Sequence, residues 1–126
     1  WKVGVEEPNF EGQQSILKAI TLQDEAMATS GTYRKFKVDE NGNRYAHIID
    51  TETGYPSKTN LLSISVIAED CMTADAYATA FMAMPLDKSI SLINDDKSLD
   101  GMIIYFDSNN EIQTYYSSGF KKLIFD

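Results

Sequence analysis

Leu61-Leu62-Ser63-Ile64-Ser65-Val66-Ile67-Ala68 runs almost directly into Thr73-Ala74-Asp75-Ala76-Tyr77-Ala78-Thr79-Ala80-Phe81-Met82, and the change of period between the two decides the fold. In the first stretch Leu62, Ile64 and Val66 alternate with Ser63 and Ser65, and β-branched residues are enriched, which predicts a strand with one well-buried face. Ile67 then falls on the serine face, so that face need not be fully exposed. In the second stretch Ala74, Tyr77, Ala78, Phe81 and Met82 recur at i, i+3, i+4, i+7 and i+8, the stripe of a helix laid on a core. Thr73 is expected to cap this helix and Pro85 to end it. Leu86, Ile90 and Ile93 predict a second, shorter helix.

Upstream, Val3 and Val5 predict a short strand stopped by Pro8, with a polar loop over residues 9–14. Ile16, Ile20 and Leu22 share one face of a strand expected to continue through Ala26 and Ala28 to Ser30-Gly31; a helix over Ile16, Leu17 and Ile20 is the alternative. Tyr33, Phe36 and Val38 lead into Asp39-Glu40-Asn41-Gly42-Asn43, and Tyr45, His47 and Ile49 lead away. Asn-Gly there predicts a hairpin with positive φ at both central residues. Downstream, Met102 to Phe106 and Ile112 to Tyr116 flank Asp107-Ser108-Asn109-Asn110 as a second hairpin, and residues 120–125 are expected to add an edge strand. Strands, two helices, then strands, joined by antiparallel hairpins, indicate an α+β fold: a mixed, largely antiparallel sheet with two packed helices in one domain.

Composition narrows the function. Of 126 residues, 43% are hydrophobic and 11% aromatic, which suits a packed core and excludes a disordered acidic tail. The net charge of −8 disfavours a nucleic-acid partner, because binding phosphates by charge needs a basic face. No apolar stretch approaches the ~20 residues of a spanning helix. Cys71 is the single cysteine, so neither an internal disulfide nor a multi-cysteine zinc site is available.

His47 is the single histidine and the side chain whose ordinary pKa lies near neutrality. By alternation it shares a face with Tyr45 and Ile49, and it reads either as a half-buried structural histidine or as a catalytic base beside the dense turn Asp50-Thr51-Glu52-Thr53-Gly54-Tyr55-Pro56. Asp75 and Thr79, four apart on the first helix, project from one side and offer two hard oxygens to one Mg²⁺. The competing account is an acid in the helix's first turn, where the macrodipole favours it without any function. Ala74, Ala76, Ala78 and Ala80 leave room for a bulky ligand near that helix. Arg34, Lys35 and Lys37 form either a solvated strand face or a phosphate contact. Met27, Met72, Met82, Met84 and Met102 read as core filler. No Walker loop, GxGxxG, GxSxG or HExxH occurs.

Three segments, in this order, resemble the C-terminal part of the ApbE family, the FAD:protein FMN transferases. Ala28-Thr29-Ser30-Gly31-Thr32-Tyr33 is similar to the family's SG-x-Y element, His47-Ile48-Ile49-Asp50-Thr51-Glu52-Thr53-Gly54-Tyr55-Pro56 to its HIIDPxTGxP signature, and Ala74-Asp75-Ala76-Tyr77-Ala78-Thr79-Ala80 to its AD-x-x-x-T helix. Trp1-Lys2-Val3-Gly4-Val5-Glu6-Glu7-Pro8 resembles the strand that begins this part of the family, so the match covers essentially the whole chain. The resemblance implies a T-fold-like architecture and a reaction in which the FMN half of FAD moves onto a Thr or Ser hydroxyl of a target protein, with AMP leaving and Mg²⁺ required. It implies Asp75 and Thr79 as metal ligands, His47 as base and a flavin contact near Ile49. The implied partners are FAD and an acceptor protein, a membrane redox subunit. The implied location is extracytoplasmic, periplasmic and often lipoprotein-anchored.

Thr51 stands in place of the signature's Pro, which is expected to loosen that turn, and Ala78 stands where some members carry a second Asp. Family members are typically over twice this length, and their GxxxKG-type segment is not found here. The chain, opening at Trp1 without an initiator Met, is therefore expected to be the C-terminal portion of a larger enzyme, weakly active or inactive alone. Hydrolysis of FAD to FMN and AMP on the same site, or a non-catalytic flavin-binding module, are the alternatives.

Overall fold

The computed structural model describes residues 1–126 except 10, 12, 34, 35 and 126, and, within strands, not the side chains of 36, 44, 46 and 58. Arg34 and Lys35 of the basic cluster thus lie outside the described residues. The elements run β1 Lys2–Glu6, β2 Ile16–Thr21, β3 Ala26–Gly31, β4 Phe36–Val38, β5 Arg44–Ile49, β6 Pro56–Lys58, β7 Leu61–Ala68, α1 Cys71–Met82, α2 Leu86–Asp95, β8 Asp100–Phe106, β9 Ile112–Tyr116, α3 Ser118–Leu123 and β10 Ile124–Phe125. They form three sheets, in the orders β3-β7-β8-β9, β1-β2-β10 and β4-β5-β6, and every pairing is antiparallel. The α+β class expected from the sequence is the one observed.

β7 organises the molecule. All eight of its residues are buried, because it lies between β3 and β8 and is covered on both faces. One face joins α1 and α2 in a core of Ile64, Val66, Ala74, Ala78, Phe81, Met82, Ile93 and Ile103. The other meets the β1-β2-β10 sheet and α3 in a second core of Val5, Ile20, Leu62, Ile67, Met102, Ile104 and Phe120. The expectation that Leu62 shares a face with Ile64 and Val66 is corrected. The pairing with β8 shifts register between Leu61 and Ser63. Such a bulge inserts one residue and reverses alternation, which sends Leu61 to the helical core and Leu62 to the other. On the serine face, Ser65 is fully buried and its hydroxyl pairs with that of Thr29 on β3 at 2.7 Å, so its polarity is satisfied.

Four further expectations change. The strand predicted from Ile16 to Gly31 is two strands in different sheets, broken at Asp24, whose φ of 56° no strand accommodates. α1 begins at Cys71 and is capped by Asp70, whose carboxylate accepts the Thr73 N–H at 2.8 Å, so Thr73 is the residue bonded to the cap and not the cap. Residues 118–123 form a third helix, started by Ser117, and only Ile124–Phe125 pair with β2 at the sheet edge. Met72 is 80% exposed, on the outer side of α1, and is not core filler.

Both predicted hairpins form, the first without the two positive-φ residues expected of it. In the first, Gly42 alone of the central pair has positive φ (81°), with Gly42 N–H donating to Asp39 O and Asp39 N–H to Asn43 O. That is a three-residue loop with a bulge, in which a single left-handed residue closes the turn. The second repeats it with Asn110 (φ 61°), Asp107 and Glu111.

Candidate functional site

Ser30 and Gly31 end β3, an edge strand of the four-stranded sheet. Ser30 lies opposite Ile64 of β7. Gly31 is required by close approach: a Cβ there would lie 2.7 Å from the Tyr33 ring and 3.2 Å from Leu62 O. Tyr33 consequently folds back over the strand end, buried, and donates its hydroxyl to the Glu6 carboxylate at 2.9 Å. Thr32 completes the anchor, donating its N–H to Leu62 O and its hydroxyl to Leu61 O, both at 2.8 Å. A cleft of about 370 Å³ opens beside this element, lined by Gly4, Val5, Glu6, Thr29, Gly31 and Tyr33.

Asp75 and Thr79 sit on the exposed side of α1, a turn apart, while Ala74 and Ala78 pack completely buried against the sheet. Those two alanines are small because the helix is pressed onto β3 and β7, not to admit a ligand; Ala76 alone of the four alanines is exposed. A carboxylate at Ala78 would enter the apolar core, which explains the small residue there. The first turn of α1 holds no acidic residue, so Asp75, the fifth helical residue, lies past the reach of the N-terminal dipole. Thr79 Oγ1 lies 3.4 Å from Ser30 Oγ, joining the helix motif to the end of β3.

The signature strand β5 bulges around His47. Tyr45 pairs with Lys58 and Ile49 with Pro56, so four steps on β5 oppose two on β6. Ile48 turns in to pack on the helical core, and His47 and Ile49 are exposed, Ile49 by 49%. The half-buried structural account of His47 is therefore set aside by its exposure. A bulge that re-aims side chains is a common device beside active sites. Beyond it the turn closes despite Thr51: Asp50 N–H donates to Tyr55 O (2.9 Å), Gly54 N–H to Asp50 O (2.8 Å) and Glu52 N–H to the Asp50 carboxylate (2.8 Å), with Gly54 at φ 72°. Asp50 also lines a second cleft, about 320 Å³, with Ser57, Asn60 and the α1–α2 corner at Met82 to Leu86. Neither cleft is lined by His47, Asp75 or Thr79.

The structure thus brings Ser30 and Thr79 together on one seam with Asp75, and it presents His47 and Ile49 on a separate exposed strand with no hydrogen bond from His47 to that seam among the described residues. The sequence motif assigns Ser30 no role, because its contact with Thr79 spans 49 positions of chain. Among the described residues no three His, Cys, Asp or Glu cluster as a metal cage. One exposed carboxylate and one exposed hydroxyl nevertheless fit Mg²⁺, which usually takes one or two protein oxygens and completes its shell with waters and substrate phosphates.

The sequence model of the ApbE family matches residues 1–103. The chain is 38% identical over 123 residues to a curated FAD:protein FMN transferase of Haemophilus influenzae, covering 98% of this chain and 35% of that protein. It is 35% identical to the one from Vibrio cholerae, covering 98% and 36%. Among solved structures it is similar to the flavin transferase ApbE from Vibrio cholerae (TM-score 0.78, 31% identity, 98% of this chain and 37% of that one). It is likewise similar to the ApbE protein of Thermotoga maritima (TM-score 0.75, 32% identity, 100% and 38%). The chain spans little more than a third of the length of each of these relatives.

Proposed function

This chain belongs to the ApbE family, and from that premise we propose that it is the C-terminal portion of an FAD:protein FMN transferase that moves FMN from FAD onto a Thr or Ser hydroxyl of a target protein, releasing AMP. The observation that carries the reading is the seam where Thr79 of α1 meets Ser30 of β3, with Asp75 exposed one helical turn before Thr79, in a chain of net charge −8.

In this reading the acceptor hydroxyl attacks the phosphorus on the FMN side of the diphosphate. An oxygen–phosphorus bond forms to the acceptor, the bond from that phosphorus to the bridging oxygen breaks, and AMP leaves with the bridging oxygen. His47, exposed on β5, takes the hydroxyl proton, the role that imidazole side chains most often fill in general base catalysis. Ile49, exposed beside it, offers apolar contact to the flavin ring. Asp75 and Thr79 would hold Mg²⁺, which supplies charge neutralisation to the diphosphate that this acidic chain cannot. The complete protein is proposed to work outside the cytoplasm, with a membrane redox subunit as acceptor.

The test is AMP release and covalent flavin labelling by the full-length protein, with FAD, Mg²⁺ and an acceptor. Asp75→Ala is expected to lower turnover at least ~100-fold, the scale of lost electrostatic stabilisation, and His47→Ala to stop transfer while leaving FAD binding intact. AMP release undiminished without acceptor would favour hydrolysis of FAD. Flavin binding indifferent to Mg²⁺, with no AMP at all, would favour a binding module.

A further inference from the structure

Ser30 Oγ and Thr79 Oγ1 are 3.4 Å apart, longer than the 2.5–3.0 Å of a well-formed O–H···O bond. They come from elements whose positions are fixed independently. Ser30 is held by the ladder to β7 and by the Gly31-Thr32-Tyr33 anchor just beyond it, and Thr79 by the burial of Ala78 and Phe81 on either side. The pair is therefore not free to drift apart, and one hydroxyl has a consequence for the other. A threonine that ligates a cation must direct a lone pair at it and send its own proton elsewhere. Among the described residues, Ser30 Oγ is the oxygen placed to accept that proton.

We infer that Ser30 is a positioning residue: its hydroxyl accepts a hydrogen bond from the Thr79 hydroxyl, fixing that rotor so that the Thr79 oxygen and the Asp75 carboxylate face one divalent cation. The contact shortens when the cation is bound, as site hydrogen bonds do on loading. No covalent step is involved, and Ser30 touches neither the cation nor the substrate. The inference rests on the reading of Asp75 and Thr79 as the cation's ligands, and the experiment separates the two.

Mn²⁺, a spectroscopic substitute for Mg²⁺, is titrated into the full-length protein in the presence of FAD, and free Mn²⁺ is read by electron paramagnetic resonance. Partners that orient a metal ligand typically carry 10–100-fold in affinity, so Ser30→Ala is expected to weaken Mn²⁺ binding by roughly 10-fold, with FAD affinity measured without metal and the melting temperature unchanged. Ser30→Thr, which restores the hydroxyl, is expected to recover most of the affinity. Unchanged Mn²⁺ affinity in Ser30→Ala, or failure of Ser30→Thr to rescue a variant of normal melting temperature, overturns the positioning role. Should Asp75→Ala and Thr79→Val bind Mn²⁺ as the unaltered protein does, the ligand assignment itself falls, and Ser30 with it.

Discussion

At Gly31 one missing side chain holds four others in place. The absent Cβ lets the Tyr33 ring fold over the strand end, Tyr33 then reaches Glu6 on β1, and the end of β3 is pinned where Ser30 meets Thr79. Gly31→Ala is expected to push the ring outward, break the Tyr33–Glu6 hydrogen bond and destabilise the domain by about 1–3 kcal/mol, the usual cost of overpacking. A urea titration measures it; a midpoint within error of the unaltered chain would mean that the ring accommodates a methyl group and that the anchor is soft. The residue identities that matter here were visible in sequence as a motif, but their reason was not. Gly31 could not be told from a turn glycine without the ring above it, and Ser30 could not be joined to Thr79 without the fold.

At the scale of elements, carboxylates govern the ends. Asp70 caps α1; Asp39 and Asp107 each head a hairpin turn and accept two of its backbone N–H groups. The pKa of each lies below the ordinary carboxylate value: for Asp39 chiefly through the Asn43 side chain, for Asp70 through the Thr73 N–H, for Asp107 through the Glu111 N–H. A folded-state pKa below the unfolded one stabilises the fold above the unfolded value, near 3.9, and that stabilisation is lost as pH falls through the lower folded value. The melting temperature is thus expected to be insensitive to these groups above about pH 5 and to drop on acidification below about pH 4. Asp70→Asn, which still caps but does not titrate, should lose part of that acid slope while α1 stays formed by circular dichroism; an unaltered slope would remove Asp70 from the account. Elements were legible wherever period was strong, as in β7, α1, α2 and both hairpins. Period does not reveal them where a local break decides: Asp24 splits one apparent strand into two, and a six-residue α3 is too short to show a period, although Ser117 and the terminal Lys121 and Lys122 are ordinary start and stop signals.

For the whole molecule, three layers share a single central strand. β7 gives one face to the helices and the other to the β1-β2-β10 sheet; alternation sends its adjacent leucines to opposite cores, and the bulge at its start decides which core each joins. That layering follows from hydrophobicity on both faces, which the alternating serines concealed: Ser63 and Ser65 read as a wetter side, yet both are buried. The β4-β5-β6 sheet, which carries His47, stands apart from this arrangement and is tied to the helical core through Ile48. The difference should appear in amide hydrogen exchange. With hydrogen-bonded neighbours on both edges and no solvent on either face, β7 can trade its protons for deuterons only when the whole domain opens, whereas β5 and β6 should do so through smaller, more frequent excursions. Mass spectrometry of peptides covering 61–68 and 44–58 would resolve the two rates, and equal protection would mean that the domain opens as one unit. The consequence is a division of labour: the strand bearing the histidine can breathe and reseat while the seam of Ser30, Asp75 and Thr79 keeps its shape.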